Sequence, residues 1–295
     1  FKLKLSICIP TYDRALELER LLWSISPEFS TDIVICDDGS TDHTLDVVKT
    51  FQKNLCINYI FQENQGRSIA IVEAMKLAVG DYIILMDSDD FFTSDGLKII
   101  FNTILGNQNE ISFVFGVLIK KGDSYTENSP PEIIGKSLLS LRADYKIKGD
   151  LKEVTCKDAL LDCIYSDYKK YRRVPTSLLW SCISEKSTSF LVEKPVIVKE
   201  YLPGGMTSNI LLLKSLYPAP LVDLYRSISI SKSYNSKIYR WRAKILMARY
   251  SFHVKIFKFS YLNKIVVYAP AFIIFIYDIL ILKMQKIRKY VMGIK

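Results

Sequence analysis

Asp87, Ser88, Asp89 and Asp90 place three carboxylates in four positions, directly after the apolar run Tyr82-Ile83-Ile84-Leu85-Met86. Like charges this close repel, and a cation relieves that repulsion. The chemistry such a turn offers is hard-oxygen ligation of a divalent ion, and with it the binding of phosphate groups. An isolated acidic pair of this kind is as often a solvated turn. What decides between the two readings is where the neighbouring elements put it.

Tyr82 to Met86 has the length and composition of a strand buried on both faces, as in a parallel sheet. The carboxylates then sit just past its C-terminal end, where open α/β sheets bind ligands. Other segments repeat the arrangement. Leu5 to Ile9 reads as a strand stopped by Pro10, and Ile33 to Cys36 as a strand ending in Asp37 and Asp38. Ile57 to Phe61 is a third strand, followed by Glu63-Asn64-Gln65-Gly66-Arg67. Between them fall helices at about 15–25, 42–51 and 67–78, with Ser40 or Thr41 placed to cap the second. Ser94 is placed to cap a helix from Asp95 to about Leu105, and Ser112 to Ile119 is a further strand. The alternation predicts an α/β fold, a doubly wound, mostly parallel sheet with helices on both faces. Right-handed crossovers gather the strand ends on one edge, so 11–14, 37–40, 63–67 and 87–90 converge there. Beyond residue 120 the pattern loosens into a loop-rich stretch, then helices from about Thr155 to Tyr168 and through Leu179 and Ile183. An extended segment follows from Pro195 to Tyr201.

Charge is divided unevenly. Residues 1–120 hold 10 Lys/Arg against 17 Asp/Glu, whereas residues 226–295 hold 15 Lys/Arg and one acid, Asp278. The acidic half suits a metal and the basic tail suits phosphates. Six cysteines without C-x-x-C spacing read as buried thiols of a reducing compartment rather than a disulfide or zinc framework. With only His43 and His253 present, a histidine metal site is not expected. A start at Phe1 rather than Met reads as a trimmed native start, and no stretch of signal-peptide shape follows it.

Four words in order, Pro10-Thr11-Tyr12-Asp13-Arg14, Asp37-Asp38-Gly39-Ser40-Thr41-Asp42, Glu63-Asn64-Gln65-Gly66-Arg67 and Asp87-Ser88-Asp89-Asp90, give the chain its family likeness. It resembles the inverting glycosyltransferases of family 2, of bacterial O-antigen or capsule type, which have the GT-A fold. The match covers roughly residues 3–105, with a weaker echo at Glu200-Tyr201-Leu202 and Gly205-Met206-Thr207-Ser208-Asn209. The resemblance implies a nucleotide-sugar donor and Mn²⁺ or Mg²⁺ on Asp89. Asp87 then faces the ribose or metal. Asp90 either assists or caps the next helix. Pro10, Thr11, Tyr12, Arg14, Asp38, Arg67 and Ser88 complete the nucleotide site: Tyr12 packs on the base, Asp38 accepts from base or ribose, and Arg67 pairs with phosphate or base. Asp37 braces the turn. The implied organisation is a nucleotide-sugar half over 1–110, an acceptor half over 111–210 and a basic, apolar helical tail over 211–295.

An inverting transfer needs a base for the acceptor hydroxyl. Members of the family often carry Pro-Glu where this chain has Pro175-Thr176, and Thr has no useful basicity. The candidates are Asp150, Glu153, Asp158 and Glu185; Asp150, after a glycine in a loop ahead of the acceptor helices, is preferred. A non-inverting or catalytically altered relative, or a nucleotide-binding protein without transfer activity, stays open as the alternative.

In the tail, Ile238, Trp241, Ile245, Phe252, Ile256 and Phe259 fall on one helical face, edged by Lys237, Arg240, Lys244, Arg249, Lys255 and Lys258. This pattern suits a membrane surface; the competing reading is a helix docked on its own protein. Ile265 to Leu282 is nearly all apolar, and Asp278 argues for lying in the interface rather than crossing it. Lys283, Lys286, Arg288 and Lys289 return to the surface. Together with the resemblance, this predicts a peripheral enzyme at the cytoplasmic face of the inner membrane, acting on a polyprenyl-diphosphate-linked glycan. A nucleotidyltransferase would want a Gly-rich phosphate loop after the first strand, which Pro10-Thr11-Tyr12 is not. A nucleic-acid binder would leave the acidic strand ends without a role.

Overall fold

Alternation at a period of two lets one strand serve two cores. In β1 (Leu5–Thr11), Leu5, Ile7 and Ile9 face one layer while Cys8 faces the other. β2 (Thr31–Asp37) divides the same way, Ile33 and Ile35 against Val34 and Cys36. The computed structural model of the chain describes residues 3–122, 124–130, 134–200, 210–254 and 265–291. The chain divides into two compact units, Phe1–Leu202 and Pro203–Lys295.

In the first unit, β1, β2, β3 (Ile57–Phe61) and β4 (Tyr82–Leu85) form a parallel group. The sheet continues through β5 (Phe91–Phe92), β6 (Ser112–Lys121), β7 (Ser124–Asn128), β8 (Ile134–Lys136), β9 (Lys152–Cys156) and β10 (Ser189–Glu200). Its order is β3-β2-β1-β4-β9-β6-β10-β5, with β7 on β6 and β8 on β10. β9 runs antiparallel to both β4 and β6, and β10 runs parallel to β6.

Helices α1 (Ala15–Trp23), α2 (Thr44–Phe51) and α4 (Gly96–Gly106) contribute Leu18, Leu21, Leu22, Val48, Phe51, Ile100 and Ile104 to one core. The opposite core takes α3 (Arg67–Leu77), α6 (Lys157–Leu161) and α7 (Ser177–Lys186). α5 (Leu138–Ala143) packs with Val114 and Leu191 in a smaller cluster. The doubly wound α/β sheet is therefore present, with its far half mixed in direction.

Several local expectations are corrected. The helix expected from Thr155 to Tyr168 is β9, the short α6 and a 3₁₀ turn at Tyr168–Lys170. Val154 and Thr155 are fully buried in the gap between β4 and β6, and sheet pairing there overrides the helical pattern. The 121–150 stretch holds two short strands and a helix. α2 and α4 begin without a side-chain cap, so Ser40, Thr41 and Ser94 do not cap them. Asp42 instead accepts from the backbone N–H of Thr44 and of Ala15, tying the starts of α2 and α1 together. Cys163 and Cys182 form a disulfide, against the expectation of free thiols throughout. They lie 19 residues apart on two elements that pack together, a pairing no local spacing announces. Cys8 and Cys36 are buried free thiols as expected, and burial pushes both thiol pKa values up.

The second unit is helical: α8 (Ile210–Leu216), α9 (Ala219–Ile230), α10 (Lys237–Val254) and α11 (Ile265–Val291). The expected face of α10 divides. Ile245 and Phe252 are buried against Ala271 of α11, while Ile238 and Trp241 are exposed; Lys255, Ile256, Lys258 and Phe259 lie outside the described residues. On the other side of α10, Tyr250 stacks on Tyr225 of α9 at 5.7 Å. Asp278 does not face outward. It is buried, accepts from Arg249 Nε at 2.7 Å and lies 3.2 Å from His253 Nε2. α11 is long and apolar enough over Val266–Lys283 to cross a membrane by length and composition, and little of that stretch is buried. The side chains of Lys286, Arg288 and Lys289 lie outside the described set.

Candidate donor and cation site

Parallel register brings the strand ends level. Thr11 pairs with Asp37, Asp37 pairs with Phe61, and Met86 N–H extends the ladder to the Cys8 carbonyl. Pro10 and Thr11 are buried at the end of β1, and Thr11 Oγ1 has no hydrogen-bond partner among the described residues. Tyr12 is exposed at the edge, and Arg14 donates to the Asp13 carbonyl. Asp13 adopts a left-handed φ of 47°. Its N–H donates to Ser40 Oγ at 2.9 Å and its carboxylate accepts from Thr41 N–H at 2.7 Å, which locks the first two strand-end loops together.

Asp37 and Asp38 are both buried and both engaged. Asp37 accepts from Ser40 N–H and from the Tyr59 hydroxyl, the bracing role expected of it. Asp38 accepts from Gln62 Nε2 at 2.6 Å, Gln65 N–H at 2.8 Å and Gly66 N–H at 2.9 Å. Its oxygens hold the loop that carries Arg67, at the strand end where the sequence expectation puts base or ribose. Gly66 has φ 110°, and a Cβ there would lie 2.2 Å from the Arg172 carbonyl oxygen. That close approach, with Val174 N–H donating to Ser68 Oγ at 2.6 Å, seats segment 172–174 against the start of α3.

Arg67 reaches across to the acidic turn, donating from Nε to Asp87 Oδ1 at 3.0 Å and pairing with it through Nη2. Burial alone would raise the Asp87 pKa, but Arg67, then Lys199 and Lys152, hold it well below the usual carboxylate range. Lys199 of β10 lies 3.5 Å from Asp90, 4.0 Å from Asp87 and 3.4 Å from Asp150. Lys152 donates to the Leu85 carbonyl at 2.5 Å and lies 4.0 Å from Asp90. Asp90 is nevertheless so deeply buried that its pKa rises to about 7, and its Oδ2 accepts no hydrogen bond from the described residues. Ser88 is buried between these groups.

Asp89 differs from its neighbours. It is half-buried, its pKa is raised by burial and then by Asp87, and no ion pair reaches its carboxylate among the described residues. No group of three His, Cys, Asp or Glu side chains forms a cage there among the described residues either. The donor set fits Mn²⁺ or Mg²⁺ held on one protein carboxylate, with the remaining oxygens coming from a diphosphate.

The register also sorts the base candidates. β9 is antiparallel to β4, so Lys152 and the residues before it lie towards the acidic end of β4, and Cys156 lies opposite Tyr82. Asp150 is held near that end by Asn128, which donates to its carbonyl, and by Lys199. Glu153 is one step further along β9, and burial raises its pKa. Asp158 lies in α6, past Cys156 at the opposite end of β4, and is exposed. Glu185 is exposed in the last turn of α7, whose start at Ser177 follows the segment seated on α3. Thr176 sits at the N-terminus of α7 with no side-chain cap. Sequence reading missed Lys199, Lys152 and Arg20, because nothing local marks a lysine on a distant strand as the neighbour of an acidic turn. Glu200 ends β10, and Tyr201, Leu202 and the Gly205–Asn209 echo lie outside the described residues.

A half-parallel sheet with helices on both faces, and an acidic turn and an arginine at its parallel strand ends, is the frame of the GT-A glycosyltransferases. Residues 6–164 match the model of Glycosyl transferase family 2, and the chain belongs to that family. Abequosyltransferase RfbV of Salmonella typhimurium is 37% identical over 114 residues, 36% of this chain and 34% of that protein. The matched stretch spans 16% to 36% of the length of such curated relatives. Among solved structures, residues 1–349 of TarS from S. aureus superpose with a TM-score of 0.57 at 15% identity, over 94% of this chain and 80% of that one. The mannosyltransferase PcManGT of Pyrobaculum calidifontis, in complex with GDP-Man and Mn²⁺, gives 0.54 at 14% identity, over 86% and 75%. At these identities the structural likeness speaks for the fold alone.

Replacing Arg67 with Ala is expected to weaken nucleoside diphosphate binding by at least about tenfold, since a charge-assisted contact is lost and Asp87 loses its nearest cation. Calorimetric titration checks this; an unchanged affinity would return Arg67 to a purely structural pairing with Asp87.

Proposed function

We propose that this chain is an inverting, metal-dependent glycosyltransferase. It moves a sugar from a nucleoside-diphosphate sugar to a polyprenyl-diphosphate-linked glycan in bacterial surface polysaccharide synthesis. The observation that carries the reading is the turn at 87–90. Its outer carboxylates are ion-paired with cations of the protein, whereas among the described residues no ion pair reaches Asp89 between them, on which Lys199 and Arg14 act only from further away. A divalent ion there would neutralise charge on the departing diphosphate. Family membership and the name of RfbV support sugar transfer, and the Mn²⁺ in the PcManGT complex is in keeping with a cation.

The protein groups divide the remaining work. Tyr12 offers a ring at the nucleoside edge, and the loop braced by Asp38 presents Arg67 towards phosphate. The acceptor hydroxyl oxygen attacks the anomeric carbon as the bond from that carbon to the diphosphate oxygen breaks, and the nucleoside diphosphate leaves with the electron pair. Asp150 takes the hydroxyl proton. Attack from the face opposite the leaving group inverts the anomeric centre. A thermal-shift screen of sugar nucleotides with and without Mn²⁺ tests the donor half. One donor should raise the melting temperature more with Mn²⁺ than without; no shift for any sugar nucleotide would refute it.

The second unit supplies the membrane side of the proposal. Val266, Phe272, Ile273, Ile276, Tyr277 and Leu280 form an exposed apolar stripe along α11. Lys237, Arg242 and Lys244 are exposed on α10 beside Ile238 and Trp241. Each basic residue near an anionic leaflet is worth about 1 kcal/mol, so several together with an apolar face hold a protein at the surface. The working location is the cytoplasmic face of the inner membrane. The chain should co-sediment with vesicles containing anionic lipid, leave them partly in high salt and fully in detergent. A chain remaining in the supernatant at low salt would make the stripe a protein-packing surface.

A further inference from the structure

Arg20 lies in α1, outside every motif that marks the site, yet its guanidinium reaches the acidic turn. Nη2 donates to the Asp89 carbonyl at 2.7 Å. Nη1 pairs with Glu200, whose other oxygen lies 3.2 Å from Lys120 Nζ. The guanidinium carbon stands 4.7 Å from the centre of the Phe91 ring, and Nε is buried with no partner among the described residues. One turn further along, at the C-cap just past Trp23, Ser24 Oγ accepts from Phe92 N–H at 3.0 Å. Residues four apart share a helical face, so Arg20 of α1 and its C-cap Ser24 together grip the chain at 89, 91 and 92. On the other side the turn is closed by Asp90 N–H donating to the Asp87 carbonyl at 3.0 Å. Fixing the Asp89 carbonyl fixes the peptide plane beside the Asp89 side chain, and with it the direction from which the carboxylate leaves the backbone.

A surface arginine that only neutralised Glu200 would not need this arrangement. Lys120 already serves Glu200, and a charge pair alone does not call for a guanidinium laid on Phe91 and bonded to a backbone carbonyl. Arg is suited to the task because its planar fork makes two directed bonds at once, which an ammonium does not.

We propose that Arg20 is the positioning residue for the cation-binding carboxylate, acting through the Asp89 backbone without touching donor or metal. The inference rests on Asp89 as the cation ligand, and the experiment separates the two. UDP, GDP, CDP and dTDP are titrated calorimetrically into the full chain with and without Mn²⁺, and the reading is the gain in affinity that Mn²⁺ confers. The parent should show a gain for at least one of them. Losing a group that orients a metal ligand typically costs 10- to 100-fold in metal affinity, so Arg20→Gln should cut the gain by about tenfold or more and leave the metal-free affinity unchanged. Arg20→Lys, which keeps the charge and the ring contact, guards against misfolding and should lose most of the gain too. A folded Arg20→Lys or Arg20→Gln protein with the parental gain overturns the positioning role while Asp89→Asn still abolishes the gain. If Asp89→Asn keeps the gain, or the parent shows none, the cation reading of Asp89 fails and the role of Arg20 falls with it.

Discussion

Asp89→Ala should abolish transfer, lowering turnover by at least about 10³-fold, and should remove the Mn²⁺-dependent part of nucleoside diphosphate binding. The size of the effect follows from what the other acids already have. Asp87 is paired with Arg67, and Lys199 and Lys152 flank Asp90, so neither neighbour is electrostatically open to replace Asp89. The substitution removes a charge whose ionised form is disfavoured by burial and by Asp87, so the fold should be retained or slightly stabilised. Melting temperature, metal-dependent binding and turnover measured on one preparation check the three parts. Full turnover of the parent in EDTA would overturn the metal requirement itself, and full turnover of Asp89→Ala would move the ligand elsewhere.

The sequence showed the parallel half of this fold because each of its elements is locally encoded. β1, β2 and β4 are apolar runs, β2 and β4 leading into acids and β1 continuing to Thr11 through the Pro10 expected to stop it, and the helices between them carry one apolar face or, in α3, are apolar nearly all round. Parallel strands separated by helices leave little choice of topology. The far half was less legible. Lys152 to Cys156 carries a lysine, a glutamate and a cysteine, and only its pairing with two neighbouring strands makes it β9. The Cys163–Cys182 disulfide depends on the packing of α6 on α7, which no spacing reports.

The site divides along the same line. The residue types at the strand ends were readable, but their partners were not. Asp38 was readable as a strand-end acid, but not the loop before Arg67 that its carboxylate holds. Asp278 looked like an uncompensated charge in an apolar helix, and Arg249 and His253 of α10 compensate it. In both cases the deciding hydrogen bonds come from residues more than 20 positions away. A carboxylate looks the same in sequence whether it serves a ligand or another part of the chain.

Asp150→Asn should slow turnover by about 10²-fold or more with donor binding unchanged. The amide keeps the shape and the backbone contact from Asn128 but cannot take a proton. Of the four candidates, Asp150 and Glu153 lie near the acidic end of β4, while Asp158 and Glu185 lie on elements that lead away from it. Between the first two, Asp150 lies half-buried in the loop before β9, with the Lys199 ammonium 3.4 Å from its carboxylate. Glu153 is disfavoured as an anion by burial. Glu153→Gln should therefore be the milder variant, and Asp158→Asn and Glu185→Gln should match the parent. Steady-state rates with saturating donor check the order. If Asp150→Asn turns over like the parent while Glu153→Gln does not, the base is Glu153. If neither slows the reaction, the anomeric configuration of the product decides next. A retained configuration would remove the need for a base in this position and account for Thr176 where relatives often carry a glutamate.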